Sequence, residues 1–322
     1  MAKRNELAIG IDIGGTTTKF GIVDHRGNIL YRGVISTNTN DAVEPYLEEL
    51  YQALTPAINE VGGIKTIKGI GIGAPNGNFY TGTIEYAPNL PWKGIIPLAN
   101  LVKEKFGVPA ALTNDANAAA IGEMMYGSAK GMKDFIMITL GTGVGSGIVA
   151  NGQLILGHDG FAGELGHTII VPGGRMHWST GHRGSLEAYA SATGVAMTAI
   201  EFLEQNEGES LLRDHISAGI DSRIVYDCAM KGDTIAKEVY AFTGKVLGEA
   251  LANFVMFSSP EAIILFGGLT KAGDLIMKPT KAHMEKNLLP IFQNKVKLIF
   301  SELREADAAI LGASALVWEM KG

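Results

Sequence analysis

The chain has one cysteine, Cys228, in 322 residues. No internal disulfide and no zinc cluster of several thiolates can be built from it, so the sequence suits a reducing compartment. Charge of one sign is also lacking. Lys and Arg number 27 against 33 Asp and Glu, a net charge of −6, and no basic block forms the footprint that nucleic acid requires. Nucleic acid is therefore not expected as a partner. Uncharged runs long enough for a bilayer are scarce. Phe135 to Leu156 carries no charge, yet glycines at 141, 143, 145, 147 and 152 divide it into strand-sized pieces, so no membrane segment is read. Lys3 and Arg4 start as an export signal would, but Glu6 and Asp12 interrupt the apolar core that such a signal needs. A cytoplasmic location is expected. Neither G-x-x-x-x-G-K-S/T nor a helix-opening G-x-G-x-x-G occurs, which excludes a P-loop and a dinucleotide fingerprint.

Glycine, by contrast, is abundant. There are 42 in the chain, roughly twice average usage, and they gather in turns that follow apolar segments. Hydrophobic residues at 46% and charged residues at 19% are a globular balance, and the length allows two domains of roughly 100–200 residues each. One unit occurs twice. Leu7 to Asp12 reads as a buried strand, Gly14-Gly15-Thr16-Thr17-Thr18 as a polar turn, Lys19 to Val23 as a returning strand, and Ile29 to Tyr31 as a third. About 130 residues later Phe135 to Leu140, Gly141-Thr142-Gly143-Val144-Gly145, Gly147 to Val149 and Gln153 to Ile155 repeat the pattern. Two duplicated α/β domains are predicted, 1–117 and 118–307, with a closing apolar helix at about 308–322 returning to the first domain.

Helical spacing predicts a helix over 41–61 capped by Asn40 or Asp41, and others over 116–126, 193–204, 235–257 and 308–320. Gly69 to Gly73, Val108 to Thr113 and Ala262 to Phe266 read as strands.

Glycine turns at the ends of buried strands either close hairpins or expose backbone N–H groups to phosphate oxygens. A third such turn, Gly267-Gly268 after Ala262 to Phe266, favours the nucleotide reading. Asp12, beside the first turn, could hold the Mg²⁺ of a nucleotide directly or through water. Lys19 could meet a phosphate or face solvent. Asp115 reads either as a helix N-cap or, with Asn114 and Asn117 at the same end, as a carboxylate that accepts a hydroxyl proton. Glu164 and His167, flanked by glycines, could hydrogen-bond a polyol. His177 and His182 do not match a common zinc spacing.

At these residues the sequence resembles the ROK family of kinases and repressors, within the actin-like ATPase superfamily, along nearly the whole chain. Asp12-Ile13-Gly14-Gly15-Thr16 resembles the family's first phosphate motif, Gly141-Thr142-Gly143-Val144-Gly145 its second, and Gly267-Gly268 its adenosine-side turn. Asn89-Leu90-Pro91-Trp92 is similar to its Asn-Leu-x-Trp segment, Asn114-Asp115-Ala116-Asn117 to its catalytic-Asp motif, and Glu164-Leu165-Gly166-His167 to its Glu-x-Gly-His signature. The resemblance implies two duplicated actin-like ATPase (ribonuclease H-like) domains with an inter-domain cleft. It implies an ATP- and Mg²⁺-dependent sugar kinase acting on a hexose 6-hydroxyl, with glucose first among the candidate sugars. N-acetylmannosamine, N-acetylglucosamine and other hexoses are the alternatives, and a homodimer or homotetramer is expected. Asp115 is the implied base; Asn89, Asn114, Glu164, His167 and Glu187 are the implied sugar contacts. Asp12, Gly14, Gly15, Thr16, Thr17 and Lys19, with Gly141, Thr142, Gly143, Gly267 and Gly268, are the implied nucleotide contacts.

One segment departs from the family. Its pattern Cys-x-Cys-Gly-x-x-Gly-Cys-x-Glu aligns with Trp178 to Glu187, in which all three thiolates are missing. No structural zinc is expected, and Thr180 or Ser185 are candidate holders of His167 in its place. Two rivals come from other classes: a repressor, disfavoured because a first strand at about Leu7 leaves no preceding helix-turn-helix, and a sugar-binding pseudokinase, motivated by the stripped zinc segment.

Overall fold

The computed structural model describes residues 6–320; Lys3 and Arg4, and residues 321–322 of the expected closing helix, lie outside them. The described chain divides into two compact units, the first comprising residues up to 132, 147–163 and from 301, the second 133–146 and 164–300.

In unit 1, Leu7–Ile13 (β1) is almost wholly buried, as a strand covered on both faces must be. Thr17–Asp24 (β2) and Ile29–Ser36 (β3) follow in an antiparallel meander. Helix α1, Val43–Glu60, comes next, and then the parallel strand β4, Ile67–Ala74. Three short strands, Gly77–Asn78 (β5), Thr83–Glu85 (β6) and Ile95–Ile96 (β7), form a small separate sheet. Helix α2 (Leu98–Phe106), strand β8 (Ala110–Asn114, parallel to β4) and helix α3 (Asp115–Tyr126) complete this stretch. The main sheet has the order β3-β2-β1-β4-β8.

Side chains on a strand alternate between faces, and β1 uses both. Ile9, Ile11 and Ile13 pack with Tyr46, Leu50 and Leu54 of α1 and with Leu98 and Val102 of α2. Helix α1 shows the expected apolar spacing, but neither Asn40 nor Asp41 caps it: the N-cap is Ala42 without a side-chain hydrogen bond, and Asn40 instead donates to Glu49 Oε2 at 3.3 Å. The opposite face of β1 and β4 receives the closing helix α9, Glu305–Glu319. Gly71 in β4 makes this close packing possible, since a Cβ there would run into the Ala313 carbonyl oxygen. The predicted boundary residue Asn117 falls within α3, in unit 1.

The second half opens with Phe135–Leu140 (β9), Val144–Ala150 (β10) and Gln153–Leu154 (β11). Helices α4 (Glu187–Ala190), α5 (Ala192–Gln205), α6 (Ser222–Met230) and α7 (Thr234–Ser258) lead to strand β12, Ala262–Phe266. Helix α8 (Asp274–Asn287) and strand β13 (Lys297–Phe300) follow. The sheet order is β11-β10-β9-β12-β13, with β12 parallel to both β9 and β13. Position for position this is the order of the first sheet. The repeat legible in the sequence is thus a repeat of topology, and the uncharged run 135–156 is two strands and a turn into a third, as its glycines predicted. Among the described residues no helix is long and apolar enough to cross a membrane.

Candidate active site

Ligands of open α/β sheets gather at the carboxyl ends of the parallel strands, and each unit carries a glycine turn there, joined in unit 1 by Asp12, Asn114 and Asp115. In unit 1, Asp12 lies one residue before the end of β1 and pairs across the hairpin with Lys19, while on its other side it lies level with Gly73 of β4. Gly73 in turn lies beside Thr113 of β8, and Asn114 and Asp115 follow at the start of α3. The register of three parallel strands therefore draws Asp12 and Asp115 together from positions about a hundred residues apart.

Electrostatics registers that closeness. Burial pushes the Asp12 carboxyl up to about 6; the nearby Asp115 charge pushes the same way and Lys19 opposes both. Asp115 keeps exposed surface, yet the protein mass around its carboxyl limits hydration and raises its pKa, against a hydrogen bond from the Ala116 N–H at 2.8 Å. The helix cap is not Asp115 but Asn114, whose Oδ1 accepts from the same N–H at 2.8 Å. Asn117, expected at the same polar end, is buried with an Oδ1 that has no hydrogen-bond partner.

The first glycine turn closes on a hydrogen bond from Gly14 N–H to Thr17 O at 3.0 Å, and it leaves Thr16, Thr17 and Lys19 exposed. The carbonyl of Asn89 lies against Gly15, so the turn and the Asn89-Leu90-Pro91-Trp92 segment meet. Buried Leu90 and Trp92 anchor that segment, Trp92 against the Tyr46 ring at 4.5 Å and by its Nε1–H to Asn40 O at 3.2 Å. Asn89 itself stays exposed.

In unit 2 the second glycine turn follows β9, and Gly267-Gly268 follows the neighbouring parallel strand β12. Gly141 N–H donates to Gly143 O at 3.0 Å, and Gly145 N–H to Thr139 Oγ1 at 3.1 Å. Val144 N–H donates to Glu187 Oε2 at 2.6 Å. A Cβ at Gly143 would meet that carboxylate, so a side chain there would push Glu187 from its place on the turn. The Glu164 to His167 segment is tied to the same turn through Leu165 N–H, which donates to Ser146 Oγ at 3.1 Å. His167 Nε2 stands 4.0 Å from Glu164 Oε2.

Neither Thr180 nor Ser185 holds the His167 ring. The ring packs edge-on against His177 at 5.8 Å, and Ser185 Oγ is buried without a partner. The cysteine-free segment does not fit zinc: its three thiolate positions carry Trp178, Thr180 and Ser185, and among the described residues no group of three His, Cys, Asp or Glu could hold a metal. Cys228 lies in α6, buried.

Two residues holding this segment carried no local signal. Arg175 donates to Ala188 O at 2.6 Å, Gly194 O at 3.1 Å, Thr198 Oγ1 at 2.9 Å and both Glu201 oxygens, and lies over the Tyr189 ring. His177, read in the sequence only as a poor zinc candidate, is bonded to Glu187.

Comparison with known proteins agrees along the full length. A glucokinase of Halalkalibacterium halodurans is 36% identical over 312 residues, 96% of this chain and 94% of that protein. A glucokinase of Thermotoga maritima is 32% identical over 316 residues, 98% of both chains. A ROK family glucokinase from Streptomyces griseus, solved with glucose and AMPPNP, superposes with a TM-score of 0.80 at 31% identity over 98% of this chain and 100% of its own. With the ROK family profile matching residues 8–320, and two five-stranded sheets of identical strand order, the chain belongs to the ROK family and has its actin-like ATPase fold.

Proposed function

We propose that this chain is a glucokinase, transferring the γ-phosphoryl group of ATP to the 6-hydroxyl of glucose. The observation that carries the reading is the likeness, along 98% of the chain, to a glucokinase that holds glucose and AMPPNP. Asp115 is the base: a carboxylate of raised pKa accepts a proton more readily near neutral pH than an ordinary one. It takes the 6-hydroxyl proton as the sugar oxygen bonds to the γ-phosphorus and the bond from that phosphorus to the departing ADP oxygen breaks.

Asn89, Asn114, Glu164, His167 and Glu187 hold the sugar. Asn114 uses its carbonyl oxygen on α3, which leaves its amide N–H groups as the donors for a sugar oxygen. The turns Gly14-Gly15-Thr16-Thr17, with Lys19, and Gly141-Thr142-Gly143 take the phosphates, and Gly267-Gly268 takes the adenosine. A Mg²⁺ ion fits beside Asp12, where burial and the neighbouring Asp115 carboxylate raise the cost of ionising Asp12, and when bound it would neutralise charge on the transferring phosphates. ATP as substrate favours the cytoplasm, and a homodimer or homotetramer belongs to the reading, measurable by light scattering.

The test is ADP release with glucose, N-acetylmannosamine, N-acetylglucosamine, fructose, mannose and allose in parallel, for the wild type and Asp115→Asn. Glucose should be turned over fastest, and the variant should lose about 10²–10⁴-fold in kcat. Turnover of an N-acetyl sugar alone would replace the substrate; silence with every sugar would overturn the reading.

A further inference from the structure

We propose that His177 is a positioning residue of the sugar site: its buried imidazole sets both Glu187 and His167 by direct contact, without a metal. The inference rests on the sugar roles given above to Glu187 and His167. The ring is enclosed, with its side chain 1% exposed. Its Nδ1 accepts from the backbone N–H groups of Ser179 at 3.3 Å and Thr180 at 3.2 Å. A ring nitrogen that accepts carries no proton, so the proton sits on Nε2, and Nε2–H donates to Glu187 Oε1 at 2.5 Å. The other Glu187 oxygen receives Val144 N–H at 2.6 Å, so the carboxylate is gripped from two sides, one side chain and one turn.

The same ring orients its neighbours by packing. Trp178 stacks on it at 4.2 Å, and the His167 ring meets it edge-on at 5.8 Å. A backbone bond from His177 N–H to His182 O at 2.8 Å closes the tight loop that carries the two N–H donors. Loop, imidazole and carboxylate thus form one chain of contacts. In this segment the cysteine positions of the family pattern hold Trp178, Thr180 and Ser185, and hydrogen bonds and ring contacts do the orienting.

Side chains that orient a binding residue through a hydrogen bond are worth about 10–100-fold in affinity or activity where they have been measured behind metal ligands, and the same scale is taken for His177 behind Glu187. His177→Ala should therefore raise the glucose KM by about tenfold or more, and raise it further than it raises the ATP KM or lowers kcat. His177→Gln, whose amide can still donate to Glu187, should recover to within about threefold. Long-range ¹H–¹⁵N NMR of the wild type should show the His177 proton on Nε2, unchanged by EDTA, and dialysed protein should hold no stoichiometric zinc. A wild-type proton on Nδ1, one retained zinc per chain, an unchanged glucose KM in His177→Ala, or a His177→Gln as impaired as the alanine variant would each overturn the proposal. If the alanine variant does not fold, the glutamine variant and the tautomer decide. Failure of the kinase reading itself would show as absent wild-type turnover, which leaves the NMR and zinc readouts standing.

Discussion

Neutralising Asp115 should change the proton affinity of Asp12, a residue about a hundred positions away. Asp12 titrates near 6 rather than 3.8, because burial raises it most, the Asp115 charge raises it next and Lys19 lowers it least. A rise of roughly two units corresponds to ~3 kcal/mol by which the folded state prefers the protonated carboxyl, relative to the unfolded chain. Stability from this residue is therefore fully present below about pH 4 and is lost as pH rises through about 6. Since burial outweighs Lys19, removing the Asp115 charge must leave Asp12 between 3.8 and about 6, and a neighbouring carboxylate typically accounts for about one unit or more. Asp115→Asn should thus lower the Asp12 midpoint by about one unit, which stabilises the fold above pH 6 by ~1.4 kcal/mol through Asp12, and relief of the burial penalty on Asp115 itself adds to that gain. Carboxyl ¹³C titration without nucleotide or Mg²⁺, assigned through Asp12→Asn, measures the first effect; urea unfolding at pH 5 and pH 8 measures the second. An Asp12 midpoint unmoved by the substitution would refute the coupling, and one near 3.8 in the wild type would refute the burial.

Glucose phosphorylation should fall as pH is lowered through about 6, because Asp12 and Asp115 both bind protons above the ordinary carboxylate range; a rate independent of pH between 5 and 7 would count against their roles. Gly71→Ala should destabilise unit 1 by about 1–3 kcal/mol, since the new methyl meets the Ala313 carbonyl and α9 must shift off the sheet. Thermal unfolding reads this, and an unchanged Tm would show that α9 packs less closely than described.

Much of the fold was legible locally. The glycine turns, the twice-used strand pattern and the helices over 192–205 and 234–258 rest on periodicity and turn chemistry within a few residues, and such signals survive in a bare sequence. The α1 cap was misread because Asn40 and Asp41 are good cap residues by type, whereas the chain enters the helix only at Val43, leaving Ala42 at that position. Likewise the cap at α3 belongs to Asn114, and the adjacent carboxylate is left for chemistry.

By itself the sequence determined the family, the duplicated strand plan and the identity of the carboxylates and glycine turns, since each is a short motif whose residues are neighbours along the chain. Tertiary structure alone decided which of them meet. The register of β1, β4 and β8 brings Asp12 to Asp115, the turn after β9 takes Glu187 as its acceptor, and a buried histidine takes hold of that same carboxylate. Contacts between residues tens of positions apart depend on strand register and side-chain burial, which no local pattern encodes.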